Sequence, residues 1–382
     1  YNGINRGGEE KMAATAVGVI FTNLHGEKVP ELVRKRTIAS IPFGGRYRLI
    51  DFQLSNMVNS GITTVGLMTT NNYRSLIDHI GSGKDWDLAR KDGGIILLPP
   101  FSDVAEKPYT TRLEALCGVK SFLRKRRESY VVLCDSDGVA RMNIADVIAY
   151  HESKNADITM VTRRATAENR VSGMLLKANS DGRVTEVRIN PVITEPECAD
   201  TYVNVSVFNR EFLINLIDDS ASRGLTSFEN DVIARQIHAL KIYRYDFKGF
   251  YAEIDSLTNY YKYNLMLLDK EVRNQLFGAR DVYTKVRDSA PSKYGTSAIV
   301  KNSLISDGCV IEGIVENSIL FRGVKVEKGA VVRNSIVMQD SAIHANAVLN
   351  CVITDKNVEI TERRVLSGCE SLPYYVQKGS KL

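Results

Sequence analysis

Two periodicities divide the chain. Up to about residue 180, short runs rich in β-branched residues alternate with helical patterns. Thr15–Phe21, Ile62–Thr70, Tyr130–Asp135 and the segment "DITMVTRRA" read as strands, because each is a short apolar run. Between them, "YRLIDFQLSNMVNSG", "YRSLIDHIGSG", "TRLEALCGVKSFLRKRR" and "NIADVIAYHESKNA" read as helices, the first closed by Gly61. Near-continuous apolar strands alternating with helices predict an α/β fold with a mostly parallel sheet covered on both faces. Ligands of such sheets bind beyond the carboxyl ends of the strands. The loop "TNLHGEKVP" and the loop "CDSDG" both follow such ends.

From about Val184 the pattern becomes alternating and β-rich in "RVTEVRI", "YVNVSVF" and "KIYRYDF", with helical "REFLINLIDDS" and "ENDVIARQIHAL" between. This predicts a sheet extension carrying the other half of a cleft. "SLTNYYKYNLMLLDKEVRNQLF" predicts one long helix, and "GARDVYTKVRDSAPSKYG" a linker. From Val324 a different period takes over. Val324, Ala330, Ile336, Ala342 and Val348 recur every sixth position, and Val331, Val337, Ile343 and Leu349 run beside them. Ile305 and Ile311 share the spacing. Period six is neither helical nor simply alternating. It predicts a parallel β-helix with three short faces per coil.

The length, 382 residues, exceeds one ordinary core and favours two domains. The expected division is residues 1–11 as a disordered leader, 12–280 as the α/β domain, 281–297 as a linker and 298–382 as the β-helix. Hydrophobic content of 44% and charged content of 25% are those of a soluble globular chain. No run of 18 apolar residues and no signal peptide is present, which predicts a cytoplasmic protein without a membrane span. The net charge of +5 is spread along the chain, and the run at Arg124–Glu128 ends a helical pattern. Nucleic acid is therefore not an expected partner, whereas phosphorylated small molecules suit the mild basicity. The six cysteines lack CxxC spacing and read as reduced thiols, not as a zinc site.

Three segments carry candidate chemistry. In "CDSDG" an aspartate after a strand could hold Mg²⁺ against phosphate oxygens, although Asp, Ser and Gly also simply make turns. In "YAEIDS" Glu253 and Asp255 could supply a second carboxylate, although taken alone the segment reads better as capping of the next helix by Asp255 or Ser256. In "IPFGGRYRLIDFQLSN" Gly44 and Gly45 allow positive φ or close backbone approach, and Arg46 and Arg48 could meet anions. The scattered histidines show no metal-ligand spacing, and neither a nucleophile elbow nor a P-loop motif occurs.

The segment "IPFGGRYRLIDFQLSNMVNSGI", Ile41–Ile62, closely resembles the signature of glucose-1-phosphate adenylyltransferases. "VVLCDSDG", "SDGRVTEVRINP", "YVNVSVFNREFL", "SFENDVIARQI" and "DSLTNYYKYNLMLL" extend the resemblance from Val17 to about Val365. It implies a Rossmann-like (GT-A-like) nucleotidyltransferase domain followed by a left-handed β-helix of hexapeptide-type repeats. It also implies the chemistry of bacterial glycogen synthesis, in which ATP and glucose 1-phosphate give ADP-glucose and pyrophosphate with Mg²⁺.

Carried over position by position, the catalytic pattern is broken. The family's glycine-rich triphosphate loop falls on Asn23 to Lys28, where one glycine remains and Lys28 replaces the transition-state arginine. The substrate-binding lysine of RAKPA falls on Ile38. The glycine of YRGTADA falls on Thr111. The sugar-phosphate lysine of FxEKP falls on Asn190, and the lysine of DFGKD on Asn230. Asp137 and Glu253 match the two metal carboxylates, and Tyr109 and Asp231 match cleft residues. Any Mg²⁺ site is therefore expected to be vestigial. Losing one charge-stabilising donor commonly costs roughly 10²–10³ in rate, so the combined losses predict little or no turnover.

Within the family this pattern resembles the non-catalytic, regulatory (GlgD-type) subunit. The resemblance implies a catalytic subunit as partner in a homo- or hetero-tetramer. It also implies a phosphorylated-metabolite effector met by Lys35, Arg36 and Arg48. The alternatives are a divergent but active sugar-1-phosphate nucleotidyltransferase, supported by Asp137 and Glu253, and a hexapeptide acyltransferase, for which only His344 offers a candidate base.

Overall fold

Val17, Val19 and Phe21 belong to the apolar layer on one side of the first strand, Ala16 and Ile20 to that on the other, and all are buried. A strand buried on both faces must lie inside a sheet covered by two layers. The computed structural model describes residues 16–69, 71–99, 109, 111–165, 173–191, 199–278 and 281–382. The expected leader, residues 1–11, lies outside them.

The strand Ala16–Phe21 sits inside a nine-stranded sheet. It pairs in parallel with Thr64–Met68 on one side and Tyr130–Asp135 on the other, and Gly94–Leu98 continues the parallel half. Beyond Tyr130–Asp135 the direction changes. Ala199–Asn209 runs antiparallel to Tyr130–Asp135, to Ile158–Ala165 and to Met174–Ala178. Val184–Ile189 and Ile242–Asp246 complete the extension. Helices Arg112–Arg124 and Arg210–Ser222 cover one face through residues such as Leu116, Val119, Leu213 and Ile217. Helices Leu49–Asn59 and Ile144–Ser153 cover the other through Ile50, Leu54, Met57 and Val147.

The expected single helix after Asp255 is two, Leu257–Met266 and Lys270–Phe277. Asp269 divides them, because its carboxylate accepts the N–H groups of Glu271 (2.6 Å) and Val272 (3.3 Å) and so caps a new helix.

The C-terminal part is a β-helix of three five-stranded parallel sheets. Its first strand, Lys293–Tyr294, lies inside the span expected to be linker. The columns Ile311–Val326–Ile343–Ile360 and Val315–Val332–Leu349–Leu366 fill its interior. Up to Ile353 successive coils step by 15 or 17 residues, as the ladder Ser303–Ser318–Ser335 shows, and the last step, Ile353 to Tyr375, is longer. A strict six-residue register therefore drifts between faces. Val324 and Ala330 lie inside the coil, whereas Ile336 faces out.

That outward face explains the doubled apolar registers. In the sheet containing Ile319–Leu320 and Ile336–Val337, the residues Leu320 and Val337 fill the coil. Their neighbours Ile319, Ile336 and Ile353 pack with Ile41, Phe43, Phe52, Tyr260 and Leu267 of the first domain. Gly44 and Gly45 have φ of 60° and 85°, and a Cβ on Gly45 would lie 2.7 Å from Ser306 Oγ of the β-helix. The Pro42–Arg48 hairpin is thus shaped to bring backbone against the second domain.

Candidate functional site

Asp135 pairs with Phe21 across the strand ends. Thr64–Met68 lies on the opposite side of Ala16–Phe21, so a crevice opens where the strand order diverges. It forms a cleft of about 940 Å³ whose walls include His25, Lys28, Tyr109, Asn190, Asn204, Asn230 and Glu253.

The loop beyond Phe21 is a short turn instead of an open anion cradle. His25 adopts the left-handed conformation at φ 65°, and the turn Gly26–Lys28 follows it. The Lys28 N–H donates to His25 O and the Val29 N–H to Gly26 O, so these amides are spent locally. Asn23 Oδ1 accepts the Ile38 N–H at 3.1 Å, which fastens the loop to the turn Ile38–Ser40.

Asp137 immediately precedes, and Glu253 ends, the strands of a small antiparallel ribbon, Gly138–Ala140 with Tyr251–Glu253, in which Glu253 opposes Gly138. The Ile254 N–H donates to Asp137 O at 2.8 Å. Position 138 must be glycine, because a Cβ there would sit 2.8 Å from the Tyr251 ring. Asp137 is buried, and burial together with the charge of Asp135 pushes its carboxyl up to about 6. Burial and the adjacent Asp137 push Glu253 up to about 8. Lys28 Nζ stands 3.9 Å from Glu253.

A third carboxylate, Asp135, lies beneath them, and sequence reasoning did not single it out. Its Oδ2 meets the Arg112 guanidinium at 2.5 Å and His25 Nε2 at 3.2 Å. Burial opposes the charge on His25, but the bond to Asp135 and that residue's charge outweigh it and raise the imidazole. Burial likewise disfavours ionised Asp135, yet Arg112 and His25 hold it below the usual carboxylate range. His25, Asp135 and Asp137 place their ligand atoms within 4.8 Å of one another, the candidate metal cluster among the described residues. The cluster does not fit an Mg²⁺ ion as it stands. One Asp135 oxygen is occupied by a fixed guanidinium, and Lys28 stands beside Glu253.

The other expected site residues are divided. Tyr109 lines the cleft and donates its hydroxyl to Thr69 O at 3.0 Å. Asn190 lines it at φ 46°. Ile38 is wholly buried in the apolar layer between the domains. Asp231, next to the cleft-lining Glu229 and Asn230, caps locally. Its carboxylate accepts the N–H groups of Ser227 (3.0 Å) and Thr226 (3.2 Å) and pairs with Arg235 at 2.9 Å. Of the three effector candidates, Lys35 alone is exposed. Arg36 is buried in a two-pronged pair with Asp355, and Arg48 donates to Ser75 O and Oγ. Sequence reasoning missed Lys356, whose ammonium burial and the charges of Arg48 and Arg36 push down to about 6. Period six marks it only as a turn residue.

Comparisons with known proteins bear on this geometry. Residues 17–270 match the nucleotidyl transferase family, and residues 289–369 match the GlmU-like C-terminal hexapeptide family. The chain is similar to a glycogen biosynthesis protein GlgD of Bacillus subtilis (strain 168), 32% identical over 364 residues, covering 95% of this chain and 96% of the relative. It is also similar to a glucose-1-phosphate adenylyltransferase of Bacillus cytotoxicus, 30% identical over 355 residues, covering 92% and 94%. With both domains matched and the relatives aligned almost end to end, this chain belongs to the glucose-1-phosphate adenylyltransferase family of nucleotidyl transferases.

Proposed function

We propose that this chain is a GlgD-like regulatory subunit acting in bacterial glycogen biosynthesis. It has little or no turnover of its own and pairs with a catalytic glucose-1-phosphate adenylyltransferase subunit in a tetramer. The complex makes ADP-glucose and pyrophosphate from ATP and glucose 1-phosphate, and this chain changes its rate or effector response. One observation carries the reading. Where the family places lysines for substrate phosphates, amides stand in the cleft wall at Asn190 and Asn230, and Ile38 is buried outside it. An amide donates a hydrogen bond but supplies no charge against a phosphate.

Regulation of a partner requires contacts that differ between two states. The junction of the two domains, where Arg36, Arg48 and Lys356 converge, is the place a phosphorylated metabolite would act, entering beside exposed Lys35. Mg²⁺ at Asp137 and Glu253 would be a remnant of the family's chemistry.

The rival reading, a divergent active sugar-1-phosphate nucleotidyltransferase, draws its best support from the adjacency of Asp137 and Glu253. Pyrophosphate release from ATP and glucose 1-phosphate with Mg²⁺, measured for the chain alone and with its catalytic partner, separates the two. Robust turnover by the chain alone sinks the regulatory reading. Unchanged partner kinetics without co-purification sink the partnership.

A further inference from the structure

The floor of the cleft carries a cation of the protein's own. Arg112 is the first residue of the helix Arg112–Arg124, placed there by the Thr111–Glu114 capping box. Its side chain is 5% exposed. One guanidinium nitrogen lies 2.5 Å from Asp135 Oδ2, and another lies 3.6 Å from Glu229 Oε1. The guanidinium carbon is 5.7, 5.9 and 5.8 Å from the ring centres of Phe21, Tyr202 and Phe228. Carboxylates and ring faces together hold this charge from several sides, so it does not swing into solvent.

The same floor retains acceptor capacity that Arg112 does not use. Asp135 Oδ1 and Asp137 Oδ1 are buried without a hydrogen-bond partner among the described residues. Both residues are 2% exposed. Unpartnered buried carboxylate oxygens are costly, and a hard divalent cation is the usual group that gathers several of them.

We propose that the Arg112 guanidinium stands in for a divalent cation at the floor of the cleft. It neutralises Asp135 with a fixed charge and keeps a latent metal site of His25, Asp135 and Asp137 closed. The inference rests on the reading of the chain as a non-catalytic family member, and it supplies a physical reason for it. A cleft with a permanent internal cation needs no metal to stay folded and repels one that approaches, since two positive charges a few ångströms apart oppose each other strongly at low dielectric.

The test is Mn²⁺ binding to the full chain, followed by the electron paramagnetic resonance signal of free Mn²⁺ and by the thermal midpoint. The wild type is expected to take up no Mn²⁺ in the cleft and to show no Mn²⁺-dependent midpoint. Arg112→Gln is expected to bind one Mn²⁺ at least ~10-fold more tightly, because a like charge has been removed. Adding Asp137→Asn to that variant should abolish the gain. The proposal is overturned if a folded Arg112→Gln binds no Mn²⁺, or if the wild type binds it as tightly as the variant. Should Arg112→Gln fail to fold, wild type against Asp137→Asn decides. Equal and negligible uptake upholds the proposal, and uptake lost only in Asp137→Asn overturns it. Turnover by the chain alone would sink the regulatory reading without touching this result. Mn²⁺ held by the wild type would sink this inference and leave the subunit reading standing.

Discussion

Arg36 and Asp355, 319 residues apart in the chain, meet in a buried two-pronged ion pair with both contacts at 2.6–2.7 Å. Arg36 belongs to the first domain and Asp355 to the β-helix, so the pair crosses the junction between them. Tyr375 donates its hydroxyl to the same carboxylate at 2.9 Å. A paired buried charge adds little net stability, but removing one partner strands the other. Arg36→Met should therefore cost ~3–5 kcal/mol in urea unfolding. Arg36→Met combined with Asp355→Leu should recover much of that loss. Equal destabilisation by the single and double variants would refute the pair's role.

Ile336 and Val331 belong to neighbouring strands of one coil, and the sequence treats them alike. Ile336 is fully buried against the first domain, whereas Val331 is half-buried on an uncovered face. Ile336→Asp should cost on the order of 4 kcal/mol or more, because an unpaired charge enters an apolar contact. Val331→Asp should stay within ~1 kcal/mol. Thermal unfolding of both variants checks the contrast.

His151 sets a pH limit on stability. Its Nδ1 bonds Thr159 Oγ1 at 2.8 Å, and burial pushes the imidazole down to about 4. As pH falls, the unfolded chain protonates this histidine near 6.5 while the folded chain does not. The contribution is complete above about 6.5 and drains away toward 4, by about 3 kcal/mol in all. In His151→Leu the loss of unfolding free energy between pH 7 and pH 4.5 should shrink by about 2 kcal/mol. Urea titrations of the two proteins across that window measure it.

Glu253 acts in the opposite sense. With its carboxyl pushed up to about 8, the folded chain keeps a proton that the unfolded chain releases near 4.5. Stability therefore falls as pH rises between those values. Glu253→Gln should stabilise the chain by about 4 kcal/mol more at pH 8.5 than at pH 4.5, read from urea midpoints. A pH-independent difference would show that the carboxyl is ionised in the fold.

Much of the first domain was legible in sequence. Strand ends at Phe21 and Asp135 follow from apolar runs that stop abruptly at polar turns. The emptied loop from Asn23 to Lys28 was visible because the adjoining Ile41–Ile62 segment anchors its position. The partners of Asp231 were not legible, because a matched motif position does not say where a side chain points. The N–H groups of Thr226 and Ser227 claim its carboxylate. Arg112 was passed over because it sits in a helical pattern like any surface arginine. Only the fold brings Asp135, Glu229 and three rings around it.

The sequence by itself determined most element types, three strands of the parallel half of the sheet and the β-helix, because hydrophobic period is a local property of the chain. It also determined which family cations are missing, because that is a matter of residue identity. The tertiary structure decided which charges meet. Coulombic pairing depends on distances between segments hundreds of residues apart, as in Arg36 with Asp355. It also decided that the outward face of one β-helix sheet is core, because whether an apolar side chain is buried depends on what lies against it.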